Sequence, residues 1–436
     1  MPSDPAPQDG LSDFPTLPFS ENQEHFQADE VVLRAGPLPA GLDDKPDAEM
    51  EKAAAMIGIS HGMTLPNAED VPYGAPGCQH CEVLPAPVEG PGTLHLRFPH
   101  TFTLGKILEW LAGSSWEHRE QGGLLSIHIA DGSLAPLLSP LMSRMSSVEQ
   151  HDTRASFQPD GVLPLAPDTL DIRSLPSFAA RVRADWLLHI LREQHLYSVF
   201  QPILMCGDFP EGSSNLTPQL YGYECLMRAD VDGKTVPPGP IIDMARDANL
   251  LFQLDLAARR AALTGAAHYD LPGKVFINFS PNSIYNPYSC LESTVRMADE
   301  LKLPRERIVF EIVESERLPE LNHLKRIVDY YHENGFGVAL DDFGAGFSSF
   351  AVLMALRPDY VKMDRSLIDH VDENDAQALV ASKMLETIQG LGLQVVAEGV
   401  ERREEWDWLR ARSVDYAQGF FFARPSAPPP PWAAPK

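Results

Sequence analysis

Eight short apolar runs recur from Tyr197 onward, and they constrain the fold more than any other feature of the chain. They are Tyr197–Ile203, Leu220–Met227, Val275–Phe279, Ile308–Val313, Gly337–Leu340, Tyr360–Met363, Gln394–Ala397 and Tyr416–Phe422. Most are near-continuously apolar, as parallel strands covered on both faces should be. From the second run on, helical or partly helical stretches separate them: Ile241–Ala267, Glu292–Leu301, Glu320–Asn334, the shorter Ser348–Leu356, Ala376–Leu391 and Glu404–Arg412. Strands alternating with helices in this number predict a (β/α)8 barrel. One connection departs from the pattern. Between Leu204 and Gln219 lie Gly207, Pro210, Gly212 and Pro218, and no helix fits. Parallel neighbours need a crossover, usually helical, whereas antiparallel neighbours do not. The first strand is therefore predicted to run antiparallel to the second.

The remaining sequence of the 436 residues divides around this barrel. Residues 1–70 carry 14 acidic and 3 basic residues, scattered prolines and weak periodicity, and predict a disordered acidic segment with one short helix at Ala53–Ile59. Residues 74–172 alternate strand-like and helix-like patterns: strands at Thr93–Phe98 and Gly123–Ala130, helices at Thr103–Ala112 and Leu134–Ser146. That suits a small α+β accessory domain of unknown role. Ser177–His195 reads as an amphipathic linking helix, which opens a barrel domain over 177–425. Residues 426–436, with Pro428–Pro431 in a row, read as an extended Pro-rich tail. The expected class is α/β: a modified TIM-like (β/α)8 barrel with an antiparallel first strand, preceded by a small α+β domain and a disordered N-terminal tail.

Charge narrows the partners. With 35 basic and 61 acidic residues the formal net charge is −26. A nucleic-acid polymer needs a basic footprint and anionic lipid needs a basic face, so neither is expected as a partner. A small anionic substrate remains compatible, because bound cations reverse the local field. No run reaches the ~18 apolar residues of a membrane helix. The N-terminus lacks the basic and apolar regions of a signal peptide. Five cysteines are few and odd-numbered for this length. A soluble cytoplasmic protein is the expectation.

Active sites of such barrels lie at the C-terminal ends of the strands. The polar residues there form an ordered set: Glu224, Asn278, Glu311 with Glu314 just beyond, Asp341 and Asp342, Lys362 with Asp364, Glu398 with Glu401, and Gln418. Carboxylates buried in apolar strands are costly unless paired or bound to metal. Converging acids with a single lysine would repel one another unless cations sat between them. The donors are all oxygen, which favours Mg²⁺ or Mn²⁺ over zinc. Adjacent Asp341 and Asp342 could serve two ions, the arrangement used for phosphoryl displacement by an activated water. The chemistry implied is metal-assisted hydrolysis of a phosphodiester or phosphomonoester.

These residues also resemble a family. Glu224-Cys225-Leu226-Met227-Arg228, "INFSP" around Asn278, "FEIVES" at Phe310–Ser315, "DDFGAGFSS" at Asp341–Ser349, "VKMDRS" at Val361–Ser366, "AEGVE" at Ala397–Glu401 and "QGFFFARP" at Gln418–Pro425 look like an EAL domain. The resemblance covers about residues 180–425. It implies a metal-dependent phosphodiesterase that cuts cyclic di-GMP to linear pGpG, lowering this second messenger in bacterial signalling. It implies a two-metal site, with Glu224, Asn278, Glu311 and Asp341 on the first ion and Asp341, Asp342 and Glu398 on or near the second. Lys362 would orient the attacking water or stabilise the transition state, and Glu398 is also a candidate general base. Glu314 would steady the loop after strand five. Arg228 would contact a phosphate, Gln201 the substrate's nucleotide, and Gln418 would support the second-metal region. A homodimer is expected from the same likeness.

Two departures stand out. Cys225 replaces the Ala of the signature tripeptide; strand alternation points it away from the Glu224 face, so a packing change is expected rather than a lost ligand. Ala345 stands where the family commonly has Thr, which bears on loop stiffness and regulation. The alternative reading is a cyclic di-GMP receptor that signals through the N-terminal domain without cleaving, although none of the metal or lysine positions is missing. Outside the barrel, Cys78-Gln-His-Cys81 could be half a zinc site or a redox pair, but no second such pair occurs, and two plain thiols are the simpler reading.

Overall fold

A computed structural model describes residues 83–130, 134–161, 172–207, 218–231, 233–312, 320–345 and 350–431. The acidic N-terminal segment, the Ala53–Ile59 helix, Cys78, Cys81 and Glu314 lie outside the described residues, as does the end of the tail.

The first element is a five-stranded antiparallel sheet of β1 (Gly92–Arg97), β2 (His118–Gln121), β3 (Leu124–Ile129), β4 (Arg154–Pro159) and β5 (Arg173–Ser174), ordered β2-β3-β1-β4-β5. In β1 and β3 every second residue is buried, so Leu94, Leu96, Leu125, Ile127 and Ile129 form one face. Helices Thr101–Ala112 and Ala135–Met142 cover that face through Leu104, Ile107 and Leu111 and through Leu137, Leu138 and Leu141. The short helix Ser147–Asp152 starts with a capping box between Ser146 and Glu149.

The second element is an eight-stranded barrel. Its strands are β6 (Leu196–Met205), β7 (Leu220–Val231), β9 (Lys274–Phe279), β10 (Ile308–Ile312), β11 (Gly337–Phe343), β12 (Tyr360–Met363), β13 (Gln394–Ala397) and β14 (Tyr416–Ala417), with β8 (Lys234–Val236) extending β7 as a hairpin. β6 pairs antiparallel with both β7 and β14, and the other neighbours around the barrel are parallel. The reversed first strand agrees with the sequence reading. Two helices expected as single rods are each broken. The linking segment divides into Leu175–Arg183 and Asp185–Arg192 at Ala184. Ile241–Ala267 divides into Pro238–Asp247 and Leu251–His268. There Asn249 takes a φ of +56°, and Leu250 N–H returns to the Ala245 carbonyl at 2.7 Å. Asn tolerates this left-handed position and so ends the helix. Residues 426–431 do not run free, because Ser426 and Phe200 exchange backbone hydrogen bonds and Tyr223 Oη donates to the Pro430 carbonyl at 3.0 Å. Among the described residues no helix is long and apolar enough to cross a membrane.

The barrel interior has two layers. Ile203, Phe276, Val309, Ala339, Tyr360, Val396 and Tyr416 pack together across the lower layer, with Tyr221 against them. Two residues further towards the open end of each strand, on the same face, lie Gln201, Asn278, Glu311, Asp341, Lys362, Glu398 and Gln418. β7 is the exception. Its pairing with β6 shifts between Ile203 and Leu204, so Tyr221 joins the lower layer although it is three residues from Glu224. Gly222 lies in that irregular stretch, where an added Cβ would come within 2.3 Å of the Lys274 carbonyl oxygen. Gly222→Ala should therefore destabilise the barrel by about 1–3 kcal/mol or more, read as a lower melting temperature. Gly105→Ala, on an exposed helical position with open space around it, should stabilise by up to about 1 kcal/mol. Equal melting temperatures for the two variants would contradict the close approach at Gly222.

Candidate active site

The upper layer converges on one buried lysine. Lys362 is 1% exposed, and its Nζ lies 2.6 Å from Glu398 Oε1, 2.8 Å from Glu311 Oε1, 3.0 Å from Asp341 Oδ1 and 3.4 Å from Glu224 Oε2. The strand period explains the convergence: each group sits on the inward face just above the apolar layer. Amides fix Glu224 from two sides. Asn278 Nδ2 donates to Glu224 Oε1 at 2.9 Å, and Gln418 Nε2 donates to Glu224 Oε2 at 2.6 Å and to Gln201 Oε1 at 3.0 Å. Gln201 in turn donates to the Ala423 carbonyl.

Asp341 and Asp342 could not both face the barrel in a regular strand. The pairing of β11 with β12 shifts between Leu340 and Phe343, and Asp342 takes a φ of +53°. This irregularity turns the second aspartate towards the first. Oxygen atoms of Asp341, Asp342 and Glu398 then lie within 4.8 Å of one another. The Asp342 N–H also donates to Asp341 Oδ1 at 3.0 Å.

Four carboxylates against one ammonium leave an excess of negative charge in a buried site. Burial pulls the Lys362 ammonium down, but Asp341, Glu224, Glu311 and Glu398 outweigh it and hold it well above its ordinary range, so it stays charged. Burial, then repulsion from Glu224, pushes Glu311 well above the carboxylate range despite Lys362. Glu398 is raised by burial and by Asp341 and Glu224, against the pull of Lys362. Asp341 is also raised, mainly by burial, and Asp342 is pushed up to about 6 by burial and the Asp341 charge. Glu224 goes the other way: burial raises it, but Lys362, Gln418 and Asn278 together bring it down. Glu311 Oε2 is buried and receives no hydrogen bond among the described residues. An all-oxygen donor set, one orphaned carboxylate oxygen and several converging carboxyls raised by burial and mutual repulsion fit hard divalent ions.

Around the carboxylates lies a cleft of about 360 Å³ lined also by Gln201, Asp342, Arg365, Gly399, Glu401, Gln418, Gly419 and Phe420. Arg228 lies further along β7, outside this cleft, and donates to the Met227 carbonyl at 2.7 Å. Cys225 is buried in the core between barrel and helices, on the opposite face from Glu224. Asp364 caps the helix Arg365–Ile368 through the Ser366 N–H. Arg365 was not legible as a site residue. It pairs with Glu401 at 2.6 Å, and its stem lies against Gly399, where an added Cβ would come within 2.5 Å of it. Gly399 inside the "AEGVE" run was the available signal. Glu405, fully buried, accepts the backbone N–H groups of His370, Glu401 and Arg402 and so ties the loop after β13 to the loop after β12.

The EAL domain family matches residues 184–425, and the chain belongs to that family. The chain is 30% identical over 216 residues to the signaling protein YkoW of Bacillus subtilis (strain 168), covering 48% of this chain and 27% of that protein. It is 31% identical over 211 residues to the probable cyclic di-GMP phosphodiesterase PdeG of Escherichia coli (strain K12), covering 47% of this chain and 41% of that protein. The match thus spans less than half the length of these two relatives. A standalone EAL protein from Vibrio cholerae O395, solved in a c-di-GMP bound form, is 34% identical; the match covers 54% of this chain and 94% of that chain, with a TM-score of 0.49.

The raised carboxyls make stability depend on pH. For Glu311 the folded value lies above the unfolded one, so the native state binds more protons between the two values. Its contribution to stability is present below the unfolded value, about 4.3, and is lost as pH rises through the folded value. Glu311→Gln should therefore raise the melting temperature of chelator-treated protein at pH 8 by about 2–6 °C, and the gain should shrink towards pH 5. A gain that does not vary with pH would contradict the raised carboxyl.

Proposed function

We propose that this chain hydrolyses cyclic di-GMP to linear pGpG with Mg²⁺ or Mn²⁺ bound, as a cyclic-guanylate-specific phosphodiesterase of bacterial signalling. The observation that carries this reading is the ring of Glu224, Glu311, Asp341 and Glu398 around Lys362, with Asp342 turned in beside it. In this reading Glu224, Asn278, Glu311 and Asp341 hold one ion and Asp341, Asp342 and Glu398 the second. The ions would activate a water and offset the charge of the displaced phosphoryl group.

The chain's own residues do the rest. Linear pGpG carries a 5′ phosphate, so the bond that breaks joins phosphorus to the 3′ oxygen. Lys362 stays an ammonium, so it donates hydrogen bonds and cannot accept the water's proton. Glu398, a stronger base than an ordinary carboxylate because burial raises it, and partly open to the cleft, is the group suited to take it. Gln418 and Asn278 hold the Glu224 carboxylate in one orientation. Arg228 is assigned to a phosphate and Gln201 to the nucleotide, and Glu314 to steadying the loop after β11. The N-terminal residues 74–172 are proposed as an accessory domain, the functional unit as a homodimer and its place as the cytoplasm.

The purified full chain, incubated with cyclic di-GMP and Mg²⁺ or Mn²⁺, should yield linear pGpG by chromatography, and chelation should abolish it. Glu224→Ala should remove the activity, and Glu398→Gln should lower kcat by about 10²–10⁴-fold. Tight binding of cyclic di-GMP without product would instead make the chain a receptor.

A further inference from the structure

A buried ion pair lies beneath the exit of β9, outside the carboxylate ring. Asp255 and Arg259 are one turn apart on the helix Leu251–His268, and both are buried. Arg259 Nε and Nη2 reach Asp255 Oδ2 at 3.1 and 2.9 Å. Arg259 also donates to Thr294 Oγ1 on the helix Glu292–Glu300. The second carboxylate oxygen, Asp255 Oδ1, accepts the Ser280 N–H at 2.7 Å. Ser280 is two residues beyond Asn278, whose amide donates to Glu224 Oε1.

Pairs spaced i,i+4 on a helix ordinarily sit at the surface. Buried, such a pair recovers its desolvation cost only if the remaining lone pairs and protons are used. Here Asp255 uses its spare oxygen off its own helix. The Ser280 N–H is the first past the β9–β10 ladder, which ends at Phe279, and a half-buried N–H that the ladder no longer serves needs another acceptor. A hydrophobic pair would pack in the same volume but could not supply one. Packing alone does not hold this place. Asp255, Asn278 and Ser280 share the wall of a cavity of about 320 Å³, so the end of β9 has room to shift on that flank.

We propose that Asp255 is a positioning residue. Backed by Arg259, it pins the Ser280 N–H and so holds the Asn278 carboxamide against Glu224, in the place from which both would hold a metal ion. This rests on the metal-dependent reading of the site given above. Outer-shell partners of this kind are worth roughly 10–100-fold in metal affinity.

The test is titration of Mn²⁺ into metal-free full-length chain, by calorimetry, at a temperature where circular dichroism shows each variant folded. Asp255→Asn keeps the shape but leaves Arg259 facing a neutral amide. Ser280→Pro removes the N–H and keeps the ion pair, at a φ of −93° that proline approaches. Both should raise the Mn²⁺ Kd roughly 10–100-fold. At saturating Mn²⁺ most of kcat should return, with KM for cyclic di-GMP unchanged. Thr294→Val should leave the Kd at its wild-type value. A merely structural role lowers the melting temperature without moving the Kd, so a wild-type Kd in either folded variant overturns the proposal alone. Should Asp255→Asn not fold, Ser280→Pro decides. Wild-type protein that binds no Mn²⁺ overturns both this proposal and the reading beneath it.

Discussion

One ammonium group holds the functional end of this barrel together. Lys362 is surrounded by four carboxylates that would otherwise repel one another in a nearly dry space. Removing the lysine from such a cluster would leave uncompensated buried charge, a loss of about 3–5 kcal/mol. The apolar layer beneath makes the cluster possible and also demanding. Phe276, Val309, Tyr360 and their neighbours close the barrel from below, so charge above them is poorly solvated. Lys362 thus acts as an internal counter-ion that offsets part of the carboxylates' charge. A divalent ion entering the ring would exchange contacts with this ammonium and release protons from the raised carboxyls.

Small departures from regular strand geometry aim the ring. Strict alternation would put Asp342 on the outside of the barrel and Tyr221 outside the lower layer. Two register shifts correct both, one in β11 and one in β7. Each is accompanied by backbone that few residues accept: an aspartate at positive φ in the first, a glycine pressed against the next strand in the second. The accuracy of the site therefore comes from places where the sheet is irregular, as expected where a strand must present neighbouring residues to one point.

The barrel was legible because burial on both faces writes continuous apolar runs, and because a proline- and glycine-rich connection leaves no room for a helical crossover. The ring of Glu224, Glu311, Asp341, Lys362 and Glu398 was legible because polar residues at the ends of such runs have few reasons to be there. Breaks at Ala184 and Asn249 were not, since amphipathic spacing continues across an interruption of one to three residues. β2 is exposed at every residue and β8 is three residues long, so neither carries an alternating pattern; pairing alone defines them. Arg365, Glu405 and Asp255 escaped for a different reason. Their roles depend on partners tens of residues away, and a charged residue on a helix or loop looks like a solvated one until the fold is known.

The helix Leu175–Arg183 has a consequence for how the molecule divides. Leu175, Phe178 and Ala179 belong to the core of the small sheet, while Ala180 packs into the cluster with Leu187, Leu188, Ile241 and Leu254 on the barrel side. Arg181, buried, reaches the Ala248 carbonyl at the end of the helix Pro238–Asp247. Family likeness begins at residue 184, so the seam in ancestry and the seam in packing do not coincide. A scissor placed at the start of the recognisable domain would cut through a shared wall, exposing apolar surface on both fragments. The one helix thus serves as a wall for both the small sheet and the helices Asp185–Arg192, Pro238–Asp247 and Leu251–His268.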